Sequence, residues 1–194
     1  DNIVHELVYQ TALQCFGRFT RIELSHSLSI YELCKTAITA DPSMTQHEGE
    51  LTGDDLHDIS DYVKSMLIDR REMLELGWNI DIDEEGNLKS LPLILQGYIP
   101  SVAALSNFVL RLGIGVDWEN EKEYYDTCAR EFAEYYKVHL PQDENDSKKY
   151  KNAIRNIFFP LLKENFVPPK RWATDGTIYE IATSSSLKKM FERC

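Results

Sequence analysis

Trp78-Asn79-Ile80-Asp81-Ile82-Asp83-Glu84-Glu85-Gly86-Asn87-Leu88-Lys89-Ser90-Leu91-Pro92-Leu93-Ile94-Leu95 decides how the chain is organised. From Trp78 to Asp83 apolar and polar residues alternate, with Trp78, Ile80 and Ile82 on one face and Asn79, Asp81 and Asp83 on the other. That period of two is the mark of a half-buried strand. Glu84-Glu85-Gly86-Asn87 carries turn chemistry, and Leu88 to Leu95 reads as the returning strand of a hairpin. Beyond it Pro100 breaks the chain, Ser101 is placed to cap a helix reaching Leu112, and Asp117 to cap another from Trp118 to Tyr136. Glu119, Glu121 and Glu123 in the first turns of that helix would face the positive end of its dipole.

Before the hairpin, Asp54 or Asp55 is expected to open a long helix running to about Leu76. Residues 41–61 hold seven acids (Asp41, Glu48, Glu50, Asp54, Asp55, Asp58 and Asp61) and no Lys or Arg, so the first half of this stretch reads as a loop. Apolar Ile3, Leu7, Val8, Ala12, Leu13 and Phe16 give a helical stripe ending at Gly17. Phe19 to Leu24 alternates as a short strand, and Ser27 or Ser29 can cap a helix to about Ala40. After a polar stretch at 138–147, a helix from about Ser147 to Asn165 is expected to adjust near Pro160. Pro168-Pro169 ends it, and a short strand at Ile178–Ile181 and a turn or helix from Ser184 finish the chain. The class is α+β, mainly helical, with short strands and one hairpin.

Acids outnumber bases 32 to 21, a formal net charge of -11, so the chain repels a phosphate backbone and autonomous DNA binding is not expected. Lys148-Lys149-Tyr150-Lys151 is the densest basic run and reads as a solvated helix start. No apolar stretch approaches the roughly 18 residues of a membrane span. Cys15, Cys34, Cys128 and Cys194 form no CxxC pair and read as reduced thiols.

Little catalytic chemistry is legible. Gly113-Ile114-Gly115 follows a helix and lacks the third glycine of a phosphate loop. His5, His26, His47, His57 and His139 belong to no nucleophile or metal signature. Asp81 and Asp83 read as a solvated strand face. The terminal Cys194 brings a thiol and an α-carboxylate together, both able to ligate zinc. One residue fills no tetrahedral shell, so any further ligands would come from elsewhere, including another subunit.

Several segments resemble, in order, the C-terminal domain of the eukaryotic MutL homologues of DNA mismatch repair. They are Glu6-Leu7-Val8-Tyr9-Gln10, Ile82-Asp83-Glu84-Glu85-Gly86-Asn87-Leu88, Leu91-Pro92-Leu93, Gly97-Tyr98-Ile99-Pro100, Arg111-Leu112, Val116-Asp117-Trp118-Glu119 and Pro168-Pro169-Lys170. The closing Phe191-Glu192-Arg193-Cys194 is the most specific of them. The resemblance implies one heterodimerisation domain over residues 1–194, with about 41–137 as an outer, docking lobe. It implies pairing with a PMS-type or meiotic MutL homologue, whose metal-dependent endonuclease site would be met at its edge by Phe191, Glu192, Arg193 and Cys194. Zinc, if bound, would sit at the partner's site with Cys194 as one ligand, and no cofactor is expected of this chain alone.

Short motifs of repair factors, including the repair exonuclease, are implied to dock near Asp117, Trp118 and Glu121, and the expected location is the nucleus. ATP would bind only through the family's N-terminal ATPase, which the chain does not match, nor does it match the opening strands of the family's C-terminal domain. Ser184-Ser185-Ser186 departs from a more apolar approach to the tail. Nuclease subunits carry Asp-Gln-His-Ala with a glutamate downstream. The nearest string here, Thr45-Gln46-His47-Glu48 followed by Leu51, lacks both acids, so the chain is expected not to cut. Two other readings compete: a single-chain zinc hydrolase using Cys194, and a peptide adaptor of unrelated ancestry.

Overall fold

In the computed structural model, which describes residues 2–40, 52–137 and 144–177, helix α1 spans Asn2–Gln14. The acidic loop up to residue 51, the polar residues 138–143, the strand expected at 178–181, the turn or helix from Ser184 and the tail lie outside the described residues. α1 buries Val4, Leu7, Val8 and Ala12. Ile3 and Leu13, expected on that stripe, instead face outward, and the Glu6 side chain takes an inward position at 7% exposure. Its carboxylate accepts from Gln10 Nε2 at 2.9 Å and meets Arg171 Nη2 at 3.4 Å, which meets the need of a buried charge for partners.

Strand β1 is longer than expected, Thr20–Ser29, and runs directly into helix α2, Ile30–Ala40, where Ser29 Oγ accepts the Glu32 N–H at 3.4 Å. Helix α3, Gly53–Asp69, is capped by Thr52 rather than by Asp54 or Asp55. Thr52 Oγ1 accepts from Asp55 N at 3.2 Å and the Asp55 carboxylate accepts from Thr52 N at 2.9 Å, a reciprocal capping box. The long helix expected to reach about Leu76 is divided at Arg70, beyond which α4 occupies Arg71–Trp78.

Trp78 is thus the last residue of a helix, not the first of a strand. Asn79 closes α4 in the left-handed conformation (φ 55°), so β2 shrinks to Asp81–Ile82. The expected facing survives this change, with Trp78, Ile80 and Ile82 all buried. Strand β3, Asn87–Leu93, lies between β1 and β2 and is antiparallel to both. In the turn, Asp83 Oδ1 accepts the Asn87 N–H at 2.7 Å. β1 pairs Arg21 with Pro92 and Glu23 with Ser90, then slips register before Leu28 meets Leu88. β2 reaches no further along β3 than Ser90, so β3 is paired on one side only at Pro92, where a proline is tolerated.

After a single 3-10 turn whose Ala103 N–H is accepted by Ser101 Oγ, helix α5 spans Leu105–Ile114. Helix α6 covers Glu121–Tyr135 and α7 Glu144–Ala153. One π-helical turn, Ile154–Phe158, joins α7 to α8, Phe159–Asn165, which has Pro160 in its first turn. Pro160 has no N–H to give the fourth carbonyl back, and its ring would collide with it. The wider turn, with Phe159 N–H donating to Ile154 O, is the adjustment expected near Pro160.

α1 packs on α6, and α2 packs on α3 and α5. Trp78, fully buried, sits among Phe16, Phe19 and Phe132 with ring centroids 5.0, 5.8 and 5.1 Å away. Its Nε1 donates to Tyr124 Oη at 2.9 Å, so the indole leaves no polar atom unpaired in the core. Tyr136 Oη donates to Pro92 O at 2.8 Å and accepts from Ile94 N at 3.1 Å, tying the sheet to the end of α6. Residues far apart in the sequence also meet. Gln10 Nε2 donates to Val167 O at 2.7 Å while Gln10 Oε1 accepts from Val167 N at 3.2 Å.

Candidate functional site

The end of α1, the outer face of α4 and the start of α6 enclose a groove of about 430 Å³ lined by Phe16, Met73, Leu76, Gly77, Trp118, Glu119, Glu121, Tyr124 and Tyr125. Its floor is aromatic. Phe16 lies edge-on to Tyr125 at 4.7 Å, and Trp118 and Tyr124 are 5.4 Å apart. Gly77 makes this possible, since a Cβ there would stand 2.5 Å from the Phe16 ring. Leu76 is 81% exposed, an amount of bare leucine that a surface helix does not need for its own packing. Burial pushes the Tyr124 hydroxyl well above its ordinary range, keeping the phenol neutral at the base of the groove.

The rim is acidic. Glu121 Oε1 accepts from Tyr125 Oη at 3.4 Å, and Glu119, 92% exposed, lies 3.6 Å from Arg70 Nη2. Trp118 and Glu121 line the groove together, whereas Asp117 does not line it. Nor does Asp117 cap α6. Its Oδ1 accepts the Glu119 and Asn120 N–H groups at 3.1 and 3.2 Å, and its own N–H donates to Thr127 Oγ1 at 3.1 Å. The cap is Asn120, whose Oδ1 accepts from Lys122 N at 3.1 Å and Glu123 N at 3.4 Å. Trp118 and Glu119 therefore belong to a short loop that Asp117 shapes, and α6 starts three residues later than expected from the capping position.

An apolar trough with a carboxylate rim binds chemistry of matching kind: an aromatic or aliphatic anchor flanked by cationic side chains. The family model for the DNA mismatch repair protein Mlh1 C-terminus matches residues 1–194, the whole length. The chain belongs to the Mlh1 C-terminal family. It is 32% identical to the DNA mismatch repair protein Mlh1 of Dictyostelium discoideum over 100% of this chain and 24% of that protein. Against the DNA mismatch repair protein MLH1 of Saccharomyces cerevisiae the identity is also 32%, over 100% of this chain and 27% of that one. The chain spans about a quarter of the length of these relatives. Membership sets aside the reading of an unrelated adaptor and agrees with the α+β class, mostly helical around a small antiparallel sheet.

In this Mlh1 C-terminal domain, Phe191, Glu192, Arg193 and Cys194 lie outside the described residues. Among the described residues no three His, Cys, Asp or Glu side chains are grouped to hold a metal ion. Cys15, Cys34 and Cys128 are free, and burial alone pushes the Cys34 thiol up to about 12, far from a reactive thiolate. No helix among the described residues is long and apolar enough to cross a membrane. Phe16, Met73, Leu76, Tyr124 and Tyr125 were not legible as site residues. They come from the turn after α1, from α4 and from α6, and the one local signal that could have found any of them is the spacing of Met73 and Leu76 away from the buried Leu74.

Proposed function

We propose that this domain is a non-catalytic heterodimerisation and docking module of a MutL-type mismatch-repair complex in the nucleus. Its partner would be a PMS-type or meiotic MutL homologue carrying the metal-dependent endonuclease. The tail residues Phe191, Glu192, Arg193 and Cys194 would complete the edge of that site, with the Cys194 thiolate able to serve zinc beside the partner's own ligands. The observation that carries this reading is the family match over residues 1–194, with the terminal Cys194 included.

Docking of repair factors, the repair exonuclease among them, is assigned to the groove of Trp118, Glu119 and Glu121, which an outer lobe of about residues 41–137 forms together with Phe16. Its aromatic floor and acidic rim favour a short segment with an aromatic residue beside Lys or Arg. The decisive experiment is co-expression with the C-terminal domain of a PMS-type homologue, followed by a mass measurement. A one-to-one complex that survives purification is the expected result. A stable monomer that ignores MutL paralogues would end the proposal.

A further inference from the structure

A second apolar groove opens where α2, α3 and α5 meet, of about 380 Å³, lined by Ile38, Asp58, Ile59, Tyr62, Leu110 and Ile114 and sharing no lining residue with the Trp118 groove. Ile38 and Leu110 form its buried floor, while Tyr62 and Ile114 stand on its walls 65% and 52% exposed. Gly113 sets the geometry. A Cβ there would lie 2.5 Å from Val63 Cγ1, so α5 is pressed against α3 at this glycine, beside Ile114. Two large side chains left in water beside a preformed trough are what a binding surface offers.

Charge specifies the occupant. Asp58 lines the groove, and Asp54 and Asp61 stand four residues before and three after it on the same face of α3. All three are exposed and have no hydrogen bond or ion pair to another side chain among the described residues. α3 has no Lys or Arg before Lys64. On the other walls, Arg111 of α5 is held by Glu131 at 2.6 Å, and α2 carries a single Lys or Arg, Lys35, which does not line the groove. Such a row repels nucleic acid and anionic lipid headgroups. A second copy of a chain of net charge -11 would bring further acid to it.

We propose that this groove docks a short segment of a partner protein in which an apolar anchor is flanked by lysines or arginines, and that it does so independently of the Trp118 groove. The anchor would cover Ile59, Tyr62 and Ile114, and the cations would neutralise Asp54, Asp58 and Asp61.

The test uses the full chain with labelled isoleucine methyls and two short fluorescent peptides. One is built of leucine and lysine with its leucines on one helical face, and in the other glutamate replaces every lysine. The lysine peptide should move the Ile59 and Ile114 methyl signals, and the glutamate peptide should not. The double reversal Asp58→Lys with Asp61→Lys, on an exposed helix face and checked by an unchanged melting temperature, should weaken this binding about tenfold. Glu121→Lys should leave the Ile59 and Ile114 response within about twofold. Unmoved Ile59 and Ile114 signals overturn the proposal, as does equal binding of both peptides or affinity unchanged by the double reversal.

Discussion

Asp117 and Glu121 stand four residues apart and do different work, which separate measurements will resolve. Asp117 spends its carboxylate on two backbone N–H groups of the loop before α6, so Asp117→Ala should cost about 1 kcal/mol in urea unfolding, the usual net value of such hydrogen bonds. Glu121 is an exposed rim charge. Glu121→Lys should leave stability and partner pairing intact while weakening a labelled peptide of aromatic and basic residues about tenfold by anisotropy. Unchanged peptide affinity would move docking elsewhere. His5 belongs to the same scale. Burial lowers its pKa below 6.5 more than nearby Glu134 and Glu6 raise it, with Lys137 and Arg130 adding to the lowering. The unfolded chain therefore takes up a proton first as pH falls past 6.5, and stability drops through the folded-state pKa. Replacing His5 by Asn should flatten the fall in stability that sets in as pH drops past 6.5. Trp118 and Glu121 were reachable from sequence only through the family resemblance carried by Val116-Asp117-Trp118-Glu119. Phe16 and Tyr125 were not, because 4.7 Å between their rings is a consequence of α1 lying on α6.

At the level of elements, the hairpin turn and most helices were legible because each is a local bargain of periodicity and capping. Where the reading slipped, a neighbouring residue offered a better local hydrogen bond. Thr52 outcompeted Asp54 and Asp55 as a cap by forming a reciprocal box, and Asn120 displaced Asp117 by accepting the Lys122 and Glu123 N–H groups together. Trp78 was assigned to a strand because alternation over six residues does not reveal that α4 ends in a left-handed Asn79. Thr52→Ala should destabilise α3 by about 1 kcal/mol, read as a lower urea midpoint with unchanged slope. Peptide binding at the Trp118 groove should be unaffected, since Thr52 does not line it.

For the whole molecule, the division between scaffold and tail is the testable matter. The proposed function gives Cys194 to the partner's edge and not to the core, so removing it should leave the melting temperature within about a degree. Nicking by the assembled heterodimer should fall, and full nicking after the deletion would remove the role assigned to the tail. None of this pairing was legible from composition or periodicity. It rested on the order of short motifs, which physics alone does not tie to a partner. The clasp between Gln10 and Val167 has a different consequence, for the order of events during synthesis. These residues are 157 apart, and Arg171 reaches the buried Glu6 across 165. Helix α1 can pack on α6 earlier, but this edge of it waits for the segment from Val167 to Arg171 to be made. Contacts of such long span slow folding and prolong the exposure of apolar surface to chaperones and proteases. A premature stop before Val167 would leave Gln10 and the inward Glu6 of α1 without these two distant contacts.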